Sequence, residues 1–164
     1  MDDDALASRA IDGRTEFHAA LRDAFAHAAA RGCREIWLCD DDFADWPIGE
    51  RAVIGHLAAW ANSHRRLVLV ARTFDEVARR HARFVEWRRT WAHIVQCRAN
   101  NELEAGKMPC ALLAHDLVTV YLVERTQSRG RFSIDASDAA RWRETVDAVL
   151  QRSEEAFPVT TTGL

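Results

Sequence analysis

The spacing of apolar residues changes several times along the chain, and each change marks an element. In "TEFHAALRDAFAHAAARG", Phe17, Ala20, Leu21, Ala24, Phe25 and Ala28 recur at three- and four-residue intervals. That period predicts an amphipathic helix with Thr15 as N-cap and Gly32 just past its end. "REIWLC" is a short apolar run, the pattern of a buried strand. From Pro47, a residue favoured at a first helical position, Val53, Ile54, Leu57, Ala58 and Ala61 trace the stripe of a second helix. "RLVLVAR" holds an unbroken apolar run from Leu67 to Ala71 between arginines, which predicts a central strand.

"TFDE" at 73–76 has the pattern of a capping box and predicts a third helix from Phe74 to Trp91. His81 falls on its apolar face with Phe74, Val77, Phe84 and Trp91, while Arg79, Arg80, Arg83 and Arg89 point away. "HIVQCR" predicts a further strand, and "CALLAHDLVTVYLVERT" predicts a hairpin turning near His115 and Asp116. "SRGRF" reads as a loop, and 135–157 as a closing helix with Ala139, Trp142, Val146, Val149 and Leu150 on one side. The order α-β-α-β-α-β-β-β-α predicts an α/β domain with a mixed parallel and antiparallel sheet and helices on both faces. Residues 1–13 read as an acidic leader, 14–157 as the single domain and 158–164 as a C-terminal tail.

With 164 residues, 48% of them hydrophobic, the chain can fill one core of ordinary size. No stretch approaches the roughly 18 apolar residues of a membrane span, and no signal sequence opens the chain. A cytoplasmic protein without membrane insertion is therefore expected. Cys33, Cys39, Cys97 and Cys110 lie far apart without a CxxC pair, as suits reduced and mostly buried thiols. Six tryptophans are many for this length; most belong in the core, with Trp46, Trp60 and Trp87 as candidates for a subunit interface.

The net charge of −3 does not announce a nucleic-acid or membrane binder, but it is unevenly spread. Residues 1–64 carry −6, 65–98 carry +6 and 99–164 carry −3. The basic middle reads first as a solvated helix face and second as an anion-binding surface.

Asp40, Asp41 and Asp42 follow the first predicted strand directly, where α/β enzymes often hold Mg²⁺ or a phosphoryl group. Such chemistry needs a lysine and a Ser or Thr on neighbouring strand ends, and the only lysine is Lys107. The favoured reading is a polar loop paired with Arg72 or Arg98 from adjacent strands. His81 is either a general base or ligand, or a buried histidine bonded to a carbonyl or an aspartate; the second is favoured. A small anionic ligand would sit at the strand ends near Arg72, His81 and Arg98. No Walker, dinucleotide, HExxH or GxSxG pattern is present, so no cofactor, metal site or catalytic residue is assigned.

Three stretches, "REIWLCDDDFADW", "VARRHARFVEWRRTWAHIVQCR" and "CALLAHDLVTVYLVERTQSRGRFSID" with its following helix, resemble a bacterial family of uncharacterised domains related to a single phospholipase D lobe. The resemblance spans roughly residues 14–157 and implies a phospholipase-D-like lobe, often homodimeric. Phospholipase D enzymes use HxKxxxxD, whose histidine attacks phosphorus while the lysine stabilises the phosphoryl oxygens. With Asp116 as the motif's aspartate, the histidine position falls on Pro109 and the lysine position on Ala111. The expectation is therefore a non-enzymatic binding or scaffolding domain. One alternative is a metal-dependent hydrolase or phosphotransferase using Asp40, Asp41 and Asp42. A second, less favoured, is nucleic-acid binding through the arginine-rich helix 74–91.

Overall fold

The computed structural model describes residues 6–159. Among the described residues eight strands form one sheet: β1 (Arg9–Asp12), β2 (Glu35–Cys39), β3 (Arg66–Ala71), β4 (Val95–Ala99), β5 (Cys110–Ala114), β6 (Val118–Glu124), β7 (Arg129–Ser133) and β8 (Glu154–Glu155). Their spatial order is β1-β7-β6-β5-β2-β3-β4-β8. The central β2, β3 and β4 run parallel, and every other pairing is antiparallel. The helices are α1 (Arg14–Arg31), α2 (Arg51–Trp60), α3 (Asp75–Arg80), α4 (Ala82–Thr90) and α5 (Ala136–Gln151).

The apolar alternation sorts the strands' side chains onto two cores. Leu67, Leu69, Leu112 and Val120 meet Phe25, Leu57, Val77 and Phe84 from α1 to α4. Trp37, Val68, Val70, Leu113 and Tyr121 face Val146 and Val149 of α5 on the other side. The mixed sheet covered on both faces is thus as the sequence predicts. The hairpin expected to turn near His115 and Asp116 is likewise present as β5 and β6, while the two chain ends and several helix boundaries depart from the prediction.

Part of the expected leader and the expected loop "SRGRF" are both strands, β1 and β7, and they pair with each other. Their signals are weak because β1 buries only Ile11 and β7 only Phe132 and Ser133. Gly130 makes the β6–β7 pairing possible, since a Cβ there would lie 1.8 Å from the Tyr121 carbonyl oxygen. Residues 1–5 of the leader and 160–164 of the tail lie outside the described residues.

Helix ends differ too. α1 starts at Arg14 after Gly13 (φ 108), whose carbonyl accepts the Phe17 N–H, so Thr15 lies inside the helix and does not cap it. Gly32 does close it in the left-handed conformation. The capping box at 73–76 does not form: Thr73 Oγ1 accepts the Asp75 N–H at 3.3 Å, while Glu76 turns to Arg79 and Arg80 at 2.8 and 2.7 Å. The single helix expected over 74–91 is two, broken at His81 (φ −121, ψ 58). The closing helix ends at Gln151, and β8 then turns back onto β4.

The three tryptophans proposed for an interface are core residues of this chain. Trp46, Trp60 and Trp87 are all buried, and the Trp60 indole N–H donates to the Cys33 carbonyl at 2.6 Å. The thiols of Cys39, Cys97 and Cys110 are buried, with Cys33 partly so.

Candidate functional site

β2 delivers Asp40, Asp41 and Asp42 at its C-terminal end, and each carboxylate is engaged by the protein itself. Asp40 is buried; its Oδ2 accepts the N–H groups of Asp42 and Phe43 at 3.3 and 2.9 Å, closing a tight turn in which Phe43 takes φ 60. Its Oδ1 accepts from Arg125 Nη2 at 3.0 Å. Arg125, just beyond β6, also donates to the Met108 carbonyl at 3.2 Å. Burial disfavours the Arg125 cation, but the neighbouring groups, Asp40 first and Asp41 among them, together outweigh this and raise the guanidinium's pKa.

Asp41 accepts the Gly106 N–H at 3.2 Å and lies 3.9 Å from Arg72 Nη1. Asp42 accepts the Ala44 N–H at 2.9 Å. The salt-bridged loop expected from the sequence is present, but its strongest ion pair is to Arg125, not to Arg72 or Arg98. Among the described residues no group of three or more His, Cys, Asp and Glu side chains is arranged to hold a metal ion.

The other predicted site residues do not converge. Arg72 donates to the Leu103 carbonyl at 2.9 Å and so holds the β4–β5 loop. Arg98 donates to Ser153 Oγ and to the Ser153 carbonyl at 2.7 and 2.6 Å, tying β4 to the end of α5. His81 lies with α3 and α4 on the opposite side of the sheet from α5, 6% exposed, its Nε2 2.8 Å from the Phe43 carbonyl. A single anion cannot bridge Arg98 and His81 across the sheet. The structure does not bring together the residues of the expected ligand position near Arg72, His81 and Arg98: Arg98 lies with Trp37, Val68 and Leu150 on the α5 face, whereas His81 sits at the α3–α4 junction beside Gly49 and Trp46.

A recessed cavity of about 350 Å³ lies instead at the other end of the sheet, between the β5–β6 turn and the first half of α5. Small residues Ala136, Ala139 and Ala140 at helical spacing leave this space under α5. Thr119 and Ser133, both nearly fully buried, lie along it. Ser133 Oγ donates to Asp138 at 2.7 Å; with Ser133 as first cause, and Tyr121 and Arg141 adding to it against burial, the Asp138 carboxyl is held below its usual range. Arg143, at the rim, donates to His115 Nδ1 at 2.7 Å and stacks over Trp37 at 4.6 Å. Its members come from both arms of the hairpin and from a helix more than a dozen residues later, so no local motif points to it.

Asp116, in the left-handed conformation (φ 61), forms the hairpin turn beside this cavity. Ala111, at the lysine position of the phospholipase D motif, is a fully buried residue of β5, and Pro109 immediately precedes that strand. Neither side chain carries a nucleophile or a cation.

The fold and these sites define a mixed-sheet α/β domain whose strand-end carboxylates are internally paired. No family description matches the chain, and no curated protein matches it in sequence. Among solved structures it is similar to TrmBL2, an archaeal chromatin protein whose structure shows a novel mode of DNA binding. The likeness has a TM-score of 0.65 at 13% identity and covers 92% of this chain and 54% of TrmBL2. The two share a fold, and this chain spans about half the length of that protein.

Proposed function

We propose that this protein is a non-enzymatic binding domain built as a single phospholipase-D-like lobe, of the bacterial family its three sequence stretches resemble. The observation that carries this reading is the internal use of Asp40, whose two oxygens are taken by Arg125 and by backbone N–H groups. Mg²⁺ or a phosphoryl group reaching this buried carboxylate would have to displace Arg125 or the backbone donors. Thermal unfolding with and without Mg²⁺ or Mn²⁺ tests it. No metal-dependent stabilisation is expected, and stabilisation that vanishes in Asp41→Asn overturns the reading in favour of the metal-dependent hydrolase. A cytoplasmic location belongs to the proposal; among the described residues no helix is long and apolar enough to cross a membrane. So does a homodimer, to be read from sedimentation.

A second observation favours nucleic acid as the partner class. Over 92% of its length the chain shares its fold with a DNA-binding chromatin protein. This raises nucleic acid above its place in the sequence reading, where a net charge of −3 counted against it. Binding of this kind follows the local arrangement of cations, not the net charge, and it weakens steeply with salt. A gel shift at low salt that disappears at high salt is the expected result; no shift at any salt concentration removes this partner class.

A further inference from the structure

The loops flanking parallel β2 and β3 differ in charge between their two ends, although Glu35 and the exposed Asp116 also lie at the basic end and Arg72, Lys107 and Arg125 at the acidic one. The loops at the C-terminal ends of β2 and β4 hold Asp40, Asp41, Asp42, Asp45, Glu102 and Glu104. The opposite end collects arginines: Arg31 closes α1, Arg34 immediately precedes β2, Arg65 immediately precedes β3 and Arg66 opens it. Register brings the last three together, because Glu35 pairs with Arg66 and the Arg66 N–H donates to the Arg34 carbonyl at 3.0 Å. Arg65 joins this group to α1, since a Cβ built on Gly32 would lie 3.0 Å from its Nη2.

Their partners differ in a way that matters. Arg66 reaches Glu35 at 3.4 Å and Gln96 at 2.8 Å, and Arg65 donates to the Trp60 carbonyl at 3.0 Å. Among the described residues the exposed side chains of Arg31 and Arg34 have neither an ion-pair nor a hydrogen-bond partner. Arg79 and Arg80 of α3 and Arg89 of α4 are by contrast already paired with Glu76 and Glu86. Beside the basic group a groove of about 410 Å³, lined by Arg65, Arg66, His93 and Gln96 among others, continues across the start of β4.

We infer that this basic end of the sheet, Arg31, Arg34, Arg65 and Arg66, is a docking surface for the phosphate backbone of double-stranded nucleic acid. The inference rests on the nucleic-acid reading above and moves its surface away from α3 and α4. Neighbouring strands lie about 4.8 Å apart, so cations at the starts of β2 and β3 and at the end of α1 span a few adjacent phosphates. The acidic loops at the far end of the strands are repelled by the same backbone and so orient the approach. A duplex is favoured over a single strand because single-strand binders offer aromatic platforms for bases. Among the described residues the exposed large hydrophobic residues are Val123, Ile134 and Val159, none of them aromatic.

The test is fluorescence anisotropy of a labelled duplex of about 20 base pairs, titrated with the full chain between about 50 and 300 mM salt. Four contacting arginines give a log–log salt slope of roughly −3 to −4. Arg31→Ala with Arg34→Ala is expected to weaken binding and to reduce the slope by about 2, with Arg34→Glu weakening it further and unchanged melting temperatures showing that the fold is kept. Arg79→Ala with Arg83→Ala is expected to leave binding unchanged. Duplex binding that survives in the Arg31/Arg34 variant but is lost in the Arg79/Arg83 variant overturns this surface and keeps the nucleic-acid reading. Absence of binding at about 50 mM salt overturns both. Tighter binding of a single strand of equal length overturns the duplex assignment.

Discussion

Arg125 holds Asp40 at 3.0 Å across 85 residues of sequence, joining the end of β6 to the turn after β2. The Asp40 side chain is 7% exposed and that of Arg125 33%, so the pair is buried on one side only. Removing one partner of a buried pair leaves an uncompensated charge. Arg125→Ala is therefore expected to destabilise the fold by about 2–3 kcal/mol, below the usual 3–5 because the cation's side is partly solvated. Urea unfolding measures this. The double variant Asp40→Asn with Arg125→Met should cost less than the two single changes added together, with a coupling of at least about 1 kcal/mol. Strict additivity would show that the contact contributes nothing.

Gly49 packs against His81 at the break between α3 and α4. A Cβ on Gly49 would lie 2.7 Å from His81 Nδ1 and 3.0 Å from its Cα, so backbone as well as side chain must move. Gly49→Ala should cost about 1–3 kcal/mol by overpacking. His81→Ala should cost a similar amount, because the Phe43 carbonyl loses its buried partner at 2.8 Å. If His81 were instead a solvent-facing catalytic base, its replacement would leave the denaturation midpoint unchanged.

Gly130 carries a heavier constraint. A Cβ 1.8 Å from the Tyr121 carbonyl oxygen cannot be relieved by a side-chain rotation, since the obstacle is the backbone of the adjacent strand. Gly130→Ala is expected to separate β6 from β7 and cost more than about 3 kcal/mol. Near-wild-type stability by circular dichroism melting would show that the β6–β7 register is different from the one described.

These contacts explain what the sequence disclosed and what it withheld. β2 and β3 were legible because apolar runs such as Leu67 to Ala71 are buried on both faces, where burial alone dictates residue type. β1 and β7 were not, because a strand such as "RGRFS" draws its stability from pairing with neighbours and not from its own pattern. The favoured reading of His81 as a buried histidine bonded to a carbonyl or an aspartate fits its contact with the Phe43 carbonyl. Gly49, which packs against the helix break, lies 32 positions away and leaves no local signal. The acidic loop was read correctly as salt-bridged, but its partner Arg125 was not found, since Arg72 and Arg98 are nearer in sequence and only the antiparallel return of β6 brings Arg125 to the spot.

Arg22 and Glu50 join α1 to the start of α2 through two bonds of 2.8 and 3.0 Å. The Arg22 guanidinium, as the main cause, holds the Glu50 carboxyl below its ordinary 4.5. A carboxyl lowered on folding stabilises the protein fully above its unfolded pKa, and that contribution is lost as pH falls through the folded value. Stability should thus decline below about pH 4.5, and Glu50→Gln should decline less over the same range. Both side chains are 41% exposed, so the difference should stay below about 1 kcal/mol. Urea midpoints at a series of pH values read it; identical pH profiles for the two proteins would dissolve the assignment.

The four thiols give a test of the packing that does not depend on function. Burial pushes the Cys97 thiol up to about 11 and those of Cys39 and Cys110 well above the ordinary thiol value. Cys33 is also raised by burial, but it is only partly enclosed. The thiolate is the reactive form, so raised pKa and lost access act in the same direction. At about pH 8 an aromatic disulfide reagent should therefore modify at most Cys33 in the native protein, and slowly. All four should react at once in denaturant. Cys39 and Cys110 lie on the central strands, so they should become reactive only through global opening, at a rate that rises with urea in step with unfolding. Fast native-state labelling of either would mean that the sheet around the Asp40–Arg125 pair is open to solvent, and the closed arrangement that excludes Asp40 from chemistry would fall with it.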